Sequence, residues 1–223
     1  MAPTSPLGSD VNEARNQILQ RIRAALTRDE GESMPPPRLG RHPRGPLPAF
    51  DGAALDRFVA KVQAAAASCE LIGALAEVPE AAEAYLIRQG LTPKLVAAPA
   101  LVSEALPWPP TLKVEYRRAE ALDACALTVA AAGIAETGTL ALVSSAGTPS
   151  TLNYLPEFCL CVVKRSAIVT HMEDAWDLLC AERNHLPRAV HFITGPSRTA
   201  DVEQTLQLGA HGPRQLHVIV VTD

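Results

Sequence analysis

The sequence predicts an α/β protein built around a mainly parallel sheet. Aromatic residues make up only 4% of the 223 residues while 48% are hydrophobic, so Ala, Val, Leu and Ile must fill most of the core. Such a composition suits helices that pack on a buried sheet. Several short segments are apolar at most positions instead of alternating with polar residues, and residues 216–221 are the clearest case. This pattern is typical of strands that are covered on both faces.

The first fifty residues form an arm that differs from the rest of the chain. They contain 8 of the 19 prolines. One helix is predicted among these prolines, because Asp10 and Glu13 can form a capping box and an apolar stripe at helical spacing begins at Ile18. We therefore expect a helix and a proline-rich connector in residues 1–50, and a folded domain in residues 51–223. The arm either packs on its own domain or binds a partner.

Two helices are predicted at the start of the domain. Apolar residues at helical spacing indicate a helix over residues 55–67. A second helix is indicated over residues 81–89, since Pro79 stands at its start and Gly90 follows its end.

The remaining elements are mostly short strands. Apolar runs bounded by Gly, Pro or charged residues predict seven strands, over residues 94–98, 112–116, 127–132, 140–144, 160–163, 189–194 and 216–221. Further helices are expected over residues 120–125, 172–180 and 201–208. A turn that contains Gly separates the third strand from the fourth, so an antiparallel hairpin is the alternative for that pair.

The charge balance and the apolar segments exclude several classes of protein. Lys and Arg number 20 against 24 Asp and Glu, and the net charge of −4 argues against a protein that binds nucleic acid by neutralising phosphates. The amino terminus lacks the charged start and the apolar run of a secretory signal. The longest apolar stretch, residues 124–135, is too short to span a bilayer. A cytoplasmic protein without a membrane span is therefore expected.

The five cysteines predict buried thiols and no metal site. They include no C-x-x-C pair, which matches neither a disulfide framework nor the usual spacing of zinc and iron–sulfur ligands. Cys159 and Cys161 are separated by one residue in an apolar run, so both lie on the same face of a predicted strand. Two packed thiols are the expected arrangement there.

The first of three polar, glycine-rich stretches covers residues 133–139, between two predicted strands. It combines the carboxylate of Glu136 with the hydroxyls of Thr137 and Thr139, and Gly138 allows the backbone to approach a ligand closely. Glu136 is therefore a candidate base or nucleophile, and the other three residues are candidate ligand-binding positions. The alternative is that Glu136 occupies an exposed hairpin turn.

The second stretch covers residues 193–203, where a predicted strand runs into a predicted helix. Backbone N–H groups at the helix start and the guanidinium of Arg198 can hold a small anion, with Gly195, Ser197 and Thr199 as further binding residues. The alternative is an ordinary helix cap, in which a hydroxyl caps the first turn and acidic residues complement the helix dipole.

The third stretch, residues 208–213, contains His211 just after a glycine that ends the predicted helix. An imidazole in a loop can reach a bound molecule, which makes His211 a candidate ligand-binding group. The alternative is a solvated loop histidine.

Residues 135–139, 193–203 and 208–213, in this order and near the carboxyl end, resemble the lactate-utilisation protein C family, whose domain is the LUD domain. The similarity extends over residues 51–223, and the arginine-bearing helix of the arm is similar to the helix that precedes the domain in that family. The resemblance implies the fold of ribose-5-phosphate isomerase, glucosamine-6-phosphate deaminase and the CoA transferases. That fold is a three-layer αβα sandwich with a mostly parallel sheet.

The same resemblance implies a role in oxidising L-lactate to pyruvate beside two partner proteins, at least one of which carries iron–sulfur clusters. Because this chain lacks ferredoxin-type cysteine runs, it would be the accessory component without a cluster or cofactor of its own. A small anionic metabolite is a possible ligand. The alternative is a free-standing isomerase or CoA-transferase-like enzyme that uses Glu136.

Overall fold

The computed structural model describes residues 7–25, 44–181, 187–199 and 207–223. The chain divides into two compact units, Met1–Gly40 and Arg41–Asp223. The first unit contains helix α1 (Leu7–Ala25), which confirms the helix predicted in the arm and begins three residues before Asp10. All other described helices and strands belong to the second unit.

The second unit contains three described α-helices and twelve described strands. Its described helices are α2 (Ala54–Ala64), α3 (Val78–Arg88) and α4 (Met172–Ala181). Its described strands are β1 (Ser68–Ile72), β2 (Lys94–Ala97), β3 (Lys113–Tyr116), β4 (Cys125–Val129), β5 (Ala132–Ile134), β6 (Thr139–Val143), β7 (Phe158–Lys164), β8 (Ile168–Val169), β9 (Val190–Ile193), β10 (Arg198–Thr199), β11 (Gln207–Leu208) and β12 (Gln215–Val221). Short 3-10 turns lie at Leu75–Glu77, Pro99–Glu104, Ser150–Asn153 and Arg165–Ala167. Among the described helices, none combines the length and the apolar character needed to cross a membrane.

The largest sheet, sheet A, has six strands in the order β1-β12-β7-β4-β2-β3. Every neighbouring pair in it is parallel. Six of the seven residues are buried in β7 and likewise in β12. The apolar runs that predict these strands therefore arise because both faces of the sheet are covered.

Alternate residues of β7 point into two different cores. Phe158 and Leu160 belong to the core that includes α3, whereas Cys159 and Cys161 belong to the core that includes α2. Sheet A thus lies between helices on its two faces, which confirms the predicted α/β class with a mostly parallel sheet and is consistent with a three-layer fold. The expected pair of packed thiols on one strand face is confirmed as well.

A second sheet, sheet B, is absent from the sequence prediction. Its order is β8-β5-β6-β9, and the β5–β6 and β6–β9 pairs are antiparallel. The strand predicted over residues 127–132 is in fact two strands, because the chain leaves sheet A at Ala130, whose N–H donates to Val162 O, and joins sheet B at Ala131, whose N–H donates to Ala141 O. β5 then pairs with β6 in an antiparallel hairpin, which is the alternative that the sequence allows.

Sheet B is also covered on both faces. Leu140 and Leu142 point into the core shared with α2 and sheet A, while Ala141 points toward Ala175 of α4. The predicted helix over residues 172–180 is confirmed as α4, and its role is to cover the face of sheet B that sheet A does not reach.

The ends of α2 and α3 are set by backbone conformation. Pro79 lies in the first turn of α3 and Gly90 follows its end with a φ of 66°, so the predicted start and stop signals are confirmed. α2 ends three residues earlier than predicted. Ala66 adopts a left-handed φ of 61°, and the Ala67 N–H donates to Val62 O, which turns the chain into β1.

The helix predicted over residues 120–125 is wrong. The carboxylate of Asp123 accepts the Glu120 N–H at 2.7 Å, and it also accepts two hydrogen bonds from the Arg117 guanidinium at 2.6 and 2.8 Å. These bonds fix a turn, and Cys125 already begins the buried strand β4. A side chain that satisfies turn N–H groups competes in this way with a helix.

The helix predicted over residues 201–208 falls mostly outside the described residues, which omit 200–206. At its predicted end the chain forms strand β11 instead, and this part of the prediction is wrong. β11 pairs antiparallel with β10, in a register that joins Arg198 to Leu208 and Thr199 to Gln207.

Residues 44–50, which the sequence assigns to the connector, contact the α/β unit. The guanidinium of Arg44 donates to Asp174 at 2.6 Å and to Asp177 at 2.5 Å, both in α4. The ring of Phe50 lies 5.4 Å from the ring of His171. The Arg57 guanidinium lies over the Phe50 ring, 3.5 Å from its centroid. The unit therefore uses part of the proline-rich segment.

We predict that the arm is separable at residue 40 and less so at residue 50. A chain of residues 41–223 keeps the Phe50 and Arg44 contacts, whereas a chain of residues 51–223 loses both. Both truncated chains should unfold cooperatively, and the shorter chain should have the lower melting temperature. The Phe50→Ala variant of the full chain isolates the ring and should lower the free energy of unfolding by about 1 to 2 kcal/mol. Equal melting temperatures of the two truncated chains, measured by calorimetry, would contradict the prediction.

A second prediction concerns acid stability. The Arg117 guanidinium lowers the pKa of the Asp123 carboxyl, whose side chain is 8% exposed. Because the unfolded carboxyl has a pKa of about 3.9, the ionised form stabilises the fold above about pH 4, and this stabilisation is lost as the pH falls toward the lower folded pKa. Asp123→Asn should cost about 1 to 3 kcal/mol at pH 7 and progressively less below pH 4. Urea unfolding at pH 7 and pH 3, with Asp51→Asn at an exposed position as control, tests this; an equal cost at both pH values would refute it.

Candidate functional site

Glu136 lies in the turn between β5 and β6. The turn is closed by the Gly138 N–H, which donates to Ile134 O at 2.9 Å, and the Glu136 N–H donates to Thr170 O at 3.0 Å. The carboxylate of Glu136 lies 3.2 Å from Nδ1 of His171. About 30% of the Glu136 side chain is exposed, so a small molecule or a partner can reach it.

His171 is the functional candidate that the sequence analysis missed. Its carbonyl accepts the N–H groups of Asp174 and Ala175 at 3.2 and 3.3 Å, and its own N–H donates to the Asp174 carboxylate at 2.9 Å, so the residue caps the start of α4. Its ring is held between Phe50 and Glu136, with 12% of the side chain exposed. A carboxylate beside a fixed imidazole can take up and pass on a proton. The only sequence signal for His171 is its position immediately before the predicted helix.

The hydroxyls around Glu136 bond to each other. Thr137 Oγ1 lies 2.6 Å from Thr139 Oγ1, which in turn lies 2.7 Å from Thr194 Oγ1. Thr139 is buried, and the contact of its hydroxyl with Thr194 joins the start of β6 to the end of β9. The first and the second polar stretch of the sequence are therefore adjacent in the fold.

Gly138 and Gly195 allow close packing on α2. Both have a positive φ, 71° at Gly138 and 79° at Gly195. A Cβ at Gly138 would lie 2.5 Å from the carbonyl carbon of Lys61, and one at Gly195 would lie 2.2 Å from the carbonyl oxygen of Ala65. The structure thus requires both glycines for the fold, whereas contact with a ligand remains a prediction.

Arg198 also contacts the end of α2, since its Nη2 donates to Ala65 O at 3.0 Å. A cation at this position complements the partial negative charge of the helix carboxyl end. Arg198 and Thr199 lie in strand β10, and the helix start predicted at residue 201 lies outside the described residues. The anion site that this helix start would form therefore stays a prediction.

Ser197 links the second polar stretch to the third. Its N–H donates to Pro213 O at 2.8 Å, its carbonyl accepts the Gly209 N–H at 3.0 Å, and its Oγ accepts the His211 N–H at 3.3 Å. His211 itself is exposed. The three polar stretches are therefore neighbours in the fold, since the first two contact the carboxyl end of α2 and the third bonds to Ser197 of the second.

An open cavity of about 490 Å³ lies at the amino-terminal ends of β1 and β12. Its described lining consists of Ala66, Ser68, Gln89, Pro196, Arg198, Arg214, Gln215 and Leu216. Arg198 is the one sequence-predicted site residue among them; Glu136 and His211 do not line it. Ligands of parallel α/β sheets usually bind at the carboxyl ends of the strands, so the sequence analysis predicts no cavity at this edge.

Four of the five cysteines are protonated at neutral pH. Burial raises the pKa of Cys159 to about 12 and that of Cys69 to about 11, and it also raises the pKa of Cys125 and Cys161. Thiols in this state are poor nucleophiles and poor metal ligands. Within the described ranges, no three His, Cys, Asp or Glu side chains are grouped so that they could hold a metal ion.

The comparisons with known proteins agree in one family. A model of the LUD domain matches residues 58–221. Lactate utilization protein C of Deinococcus radiodurans is 30% identical over 221 residues, which cover 94% of this chain and 96% of that protein. Lactate utilization protein C of Geobacillus sp. (strain WCH70) is 41% identical over 93 residues, so the chain spans about two fifths of that relative, 39% of its length. The crystal structure of a DUF162 family protein from Deinococcus radiodurans superposes with a TM-score of 0.56 at 26% identity, over 75% of this chain and 96% of that one.

The packing of Gly138 on α2 predicts a large effect of a single methyl group. Gly138→Ala should lower the free energy of unfolding by about 3 kcal/mol, because the new Cβ meets helix backbone and the φ is left-handed. Gly90→Ala is the matched control: its φ of 66° is similar, but nothing lies within 4 Å of the new Cβ. The control should cost only about 1 kcal/mol. Equal costs in urea unfolding would show that the contact with α2 is unimportant.

Proposed function

This chain belongs to the LUD domain family, and from this membership we propose that it acts in lactate utilisation as an accessory component without a cluster of its own. The observation that carries the proposal is the relative from Deinococcus radiodurans, which matches over 96% of its length and bears the name Lactate utilization protein C. The shorter match to the Geobacillus protein bears the same name.

The electron balance of the reaction supports the accessory role. Oxidation of L-lactate to pyruvate releases two electrons and two protons, so an electron acceptor is required. We assign that acceptor to partner proteins with iron–sulfur clusters, and we assign the whole system to the cytoplasm. A cluster needs several thiolates close together, whereas Cys159 and Cys161 are buried in one core and Cys125 in another. The arrangement of these thiols supports a chain that does not carry the electrons.

Within this chain we assign a functional role to Glu136 and His171. The oxidation of a hydroxyl carbon releases protons, and a carboxylate held 3.2 Å from an imidazole is a suitable acceptor. The partial exposure of Glu136 also leaves it open to a partner protein.

The Glu136→Gln variant tests this assignment. We expect lactate oxidation in cells that carry the variant to fall about tenfold or more, because the amide cannot accept the proton. The free energy of unfolding should change by about 1 kcal/mol or less, as for other partly exposed polar sites. Glu104→Gln, at an exposed carboxylate outside this pair, is the matched control. Normal growth of the Glu136→Gln strain on L-lactate would show that Glu136 only occupies the hairpin turn and has no role in the reaction.

The accessory role itself is tested by deletion and affinity purification. The deletion strain should lose growth on L-lactate, and the tagged chain should recover a partner whose visible absorption is that of iron–sulfur clusters. Normal growth together with no such partner would overturn the proposal. Turnover of CoA thioesters or phosphosugars by the purified chain alone would instead support the isomerase or CoA-transferase alternative.

A further inference from the structure

The cavity beside Arg198 has the composition of a ligand site, and the proposed function does not depend on it. We propose that this cavity binds a small organic anion in which a hydroxyl group stands next to the carboxylate or phosphate. Its volume of about 490 Å³ lies within the range of small-molecule sites, about 300 to 1,000 Å³, and exceeds what a bare inorganic ion would fill.

Two arginines give the cavity its charge. Arg198 and Arg214 are the only charged residues in the described lining, in a protein whose net charge is −4. Among the described residues, Arg198 donates to Ala65 O, while Arg214 donates from Nε to Glu157 at 2.7 Å. A guanidinium has five N–H donors, so one such bond orients the group without exhausting its donors. Glu157 offsets part of the charge of Arg214 and lies outside the lining.

Ser68 supplies a hydrogen-bond acceptor for the hydroxyl group. Its Oγ lies 2.8 Å from Nδ1 of His217, whose ring is 3% exposed. Burial lowers the pKa of His217, so the ring is neutral at pH 7 and carries a single N–H. Nε2 makes no hydrogen bond among the described residues, but it lies 3.4 Å from the Glu70 carboxylate, whose negative charge favours the proton on that nitrogen. Nδ1 is then left to accept the Ser68 O–H. The lone pairs of Ser68 Oγ are then presented to the cavity.

Gln215 adds a donor beside the arginines. The Tyr85 hydroxyl donates to Gln215 Oε1 at 3.2 Å, so the amide nitrogen is the end of Gln215 that can meet an anion. The Tyr85 ring also stacks on His217 with centroids 4.7 Å apart, and Ser68 and His217 are register partners in β1 and β12. The acceptor and the donors are therefore fixed by the sheet and by α3. A ligand with an anionic end and an adjacent hydroxyl matches both.

Two matched pairs of probes test the proposal on the full-length chain. Glycolate and acetate differ by one hydroxyl on a carboxylate, and 2-hydroxypropyl phosphate and propyl phosphate differ by one hydroxyl on a phosphate ester. Each is titrated by calorimetry at fixed ionic strength, so that screening is not mistaken for binding. We expect the hydroxylated member of at least one pair to bind with a Kd of about 1 mM or below and about tenfold more tightly than its partner, and the pair that binds identifies the anionic group.

Substitutions in the cavity locate the binding. Arg198→Gln and Arg214→Gln should each weaken binding about tenfold or more. Ser68→Ala should remove the preference for the hydroxylated probe and leave the affinity for its partner unchanged. Arg165→Gln, beyond the opposite end of β7, removes the same charge and should change nothing. Because Arg198 also contacts α2, Arg214→Gln decides the outcome if Arg198→Gln does not fold.

Three results would overturn the proposal: no binding of any probe, binding that both arginine variants leave intact, or equal affinity within each pair. Growth of the Arg214→Gln and Ser68→Ala strains on L-lactate is recorded in parallel. If no probe binds and both variant strains grow normally on L-lactate, the ligand site is refuted and the accessory role is unaffected. The deletion experiment tests the accessory role alone.

Discussion

The arrangement of this protein depends on covering both faces of sheet A. β7 and β12 are buried at nearly every position, and their alternate residues feed two cores. α3 covers one face. α2 and sheet B cover the other face, and α4 covers the outer side of sheet B. Burial of this apolar surface is the dominant favourable contribution to folding, and the positions of all candidate functional residues follow from it.

α2 is the element on which the polar stretches converge. The turn at Gly138 and the loop at Gly195 approach its backbone too closely for any side chain, and Arg198 donates to the carbonyl at its end. These contacts explain why glycines, hydroxyls and an arginine recur in the polar stretches even where no ligand touches them. Some residues of these stretches, such as Gly138 and Gly195, hold the loops in place on α2. Others, such as Arg198 in the cavity lining, are open to a ligand as well.

The two candidate sites have different chemistry and lie on different elements. Glu136 and His171 form a partly exposed carboxylate–imidazole pair between a hairpin turn and α4, which suits proton transfer or recognition by a partner. The cavity at the start of β1 and β12 instead offers two guanidinium groups and a serine hydroxyl oriented by a buried histidine. Either site can therefore be altered without removing a residue of the other.

The sequence alone determined the α/β class, most strands of sheet A, the start and stop signals of α3 and the packed thiols of β7, because hydrophobic periodicity and helix start and stop signals are local. It also singled out Glu136 and Arg198 as chemically capable side chains. It missed sheet B, the turn fixed by Arg117 and Asp123, and the pairing of Ser68 with His217, which lie 149 residues apart. Only the tertiary structure decided these features, since each depends on which distant segment packs against the residue, and no local pattern carries that information.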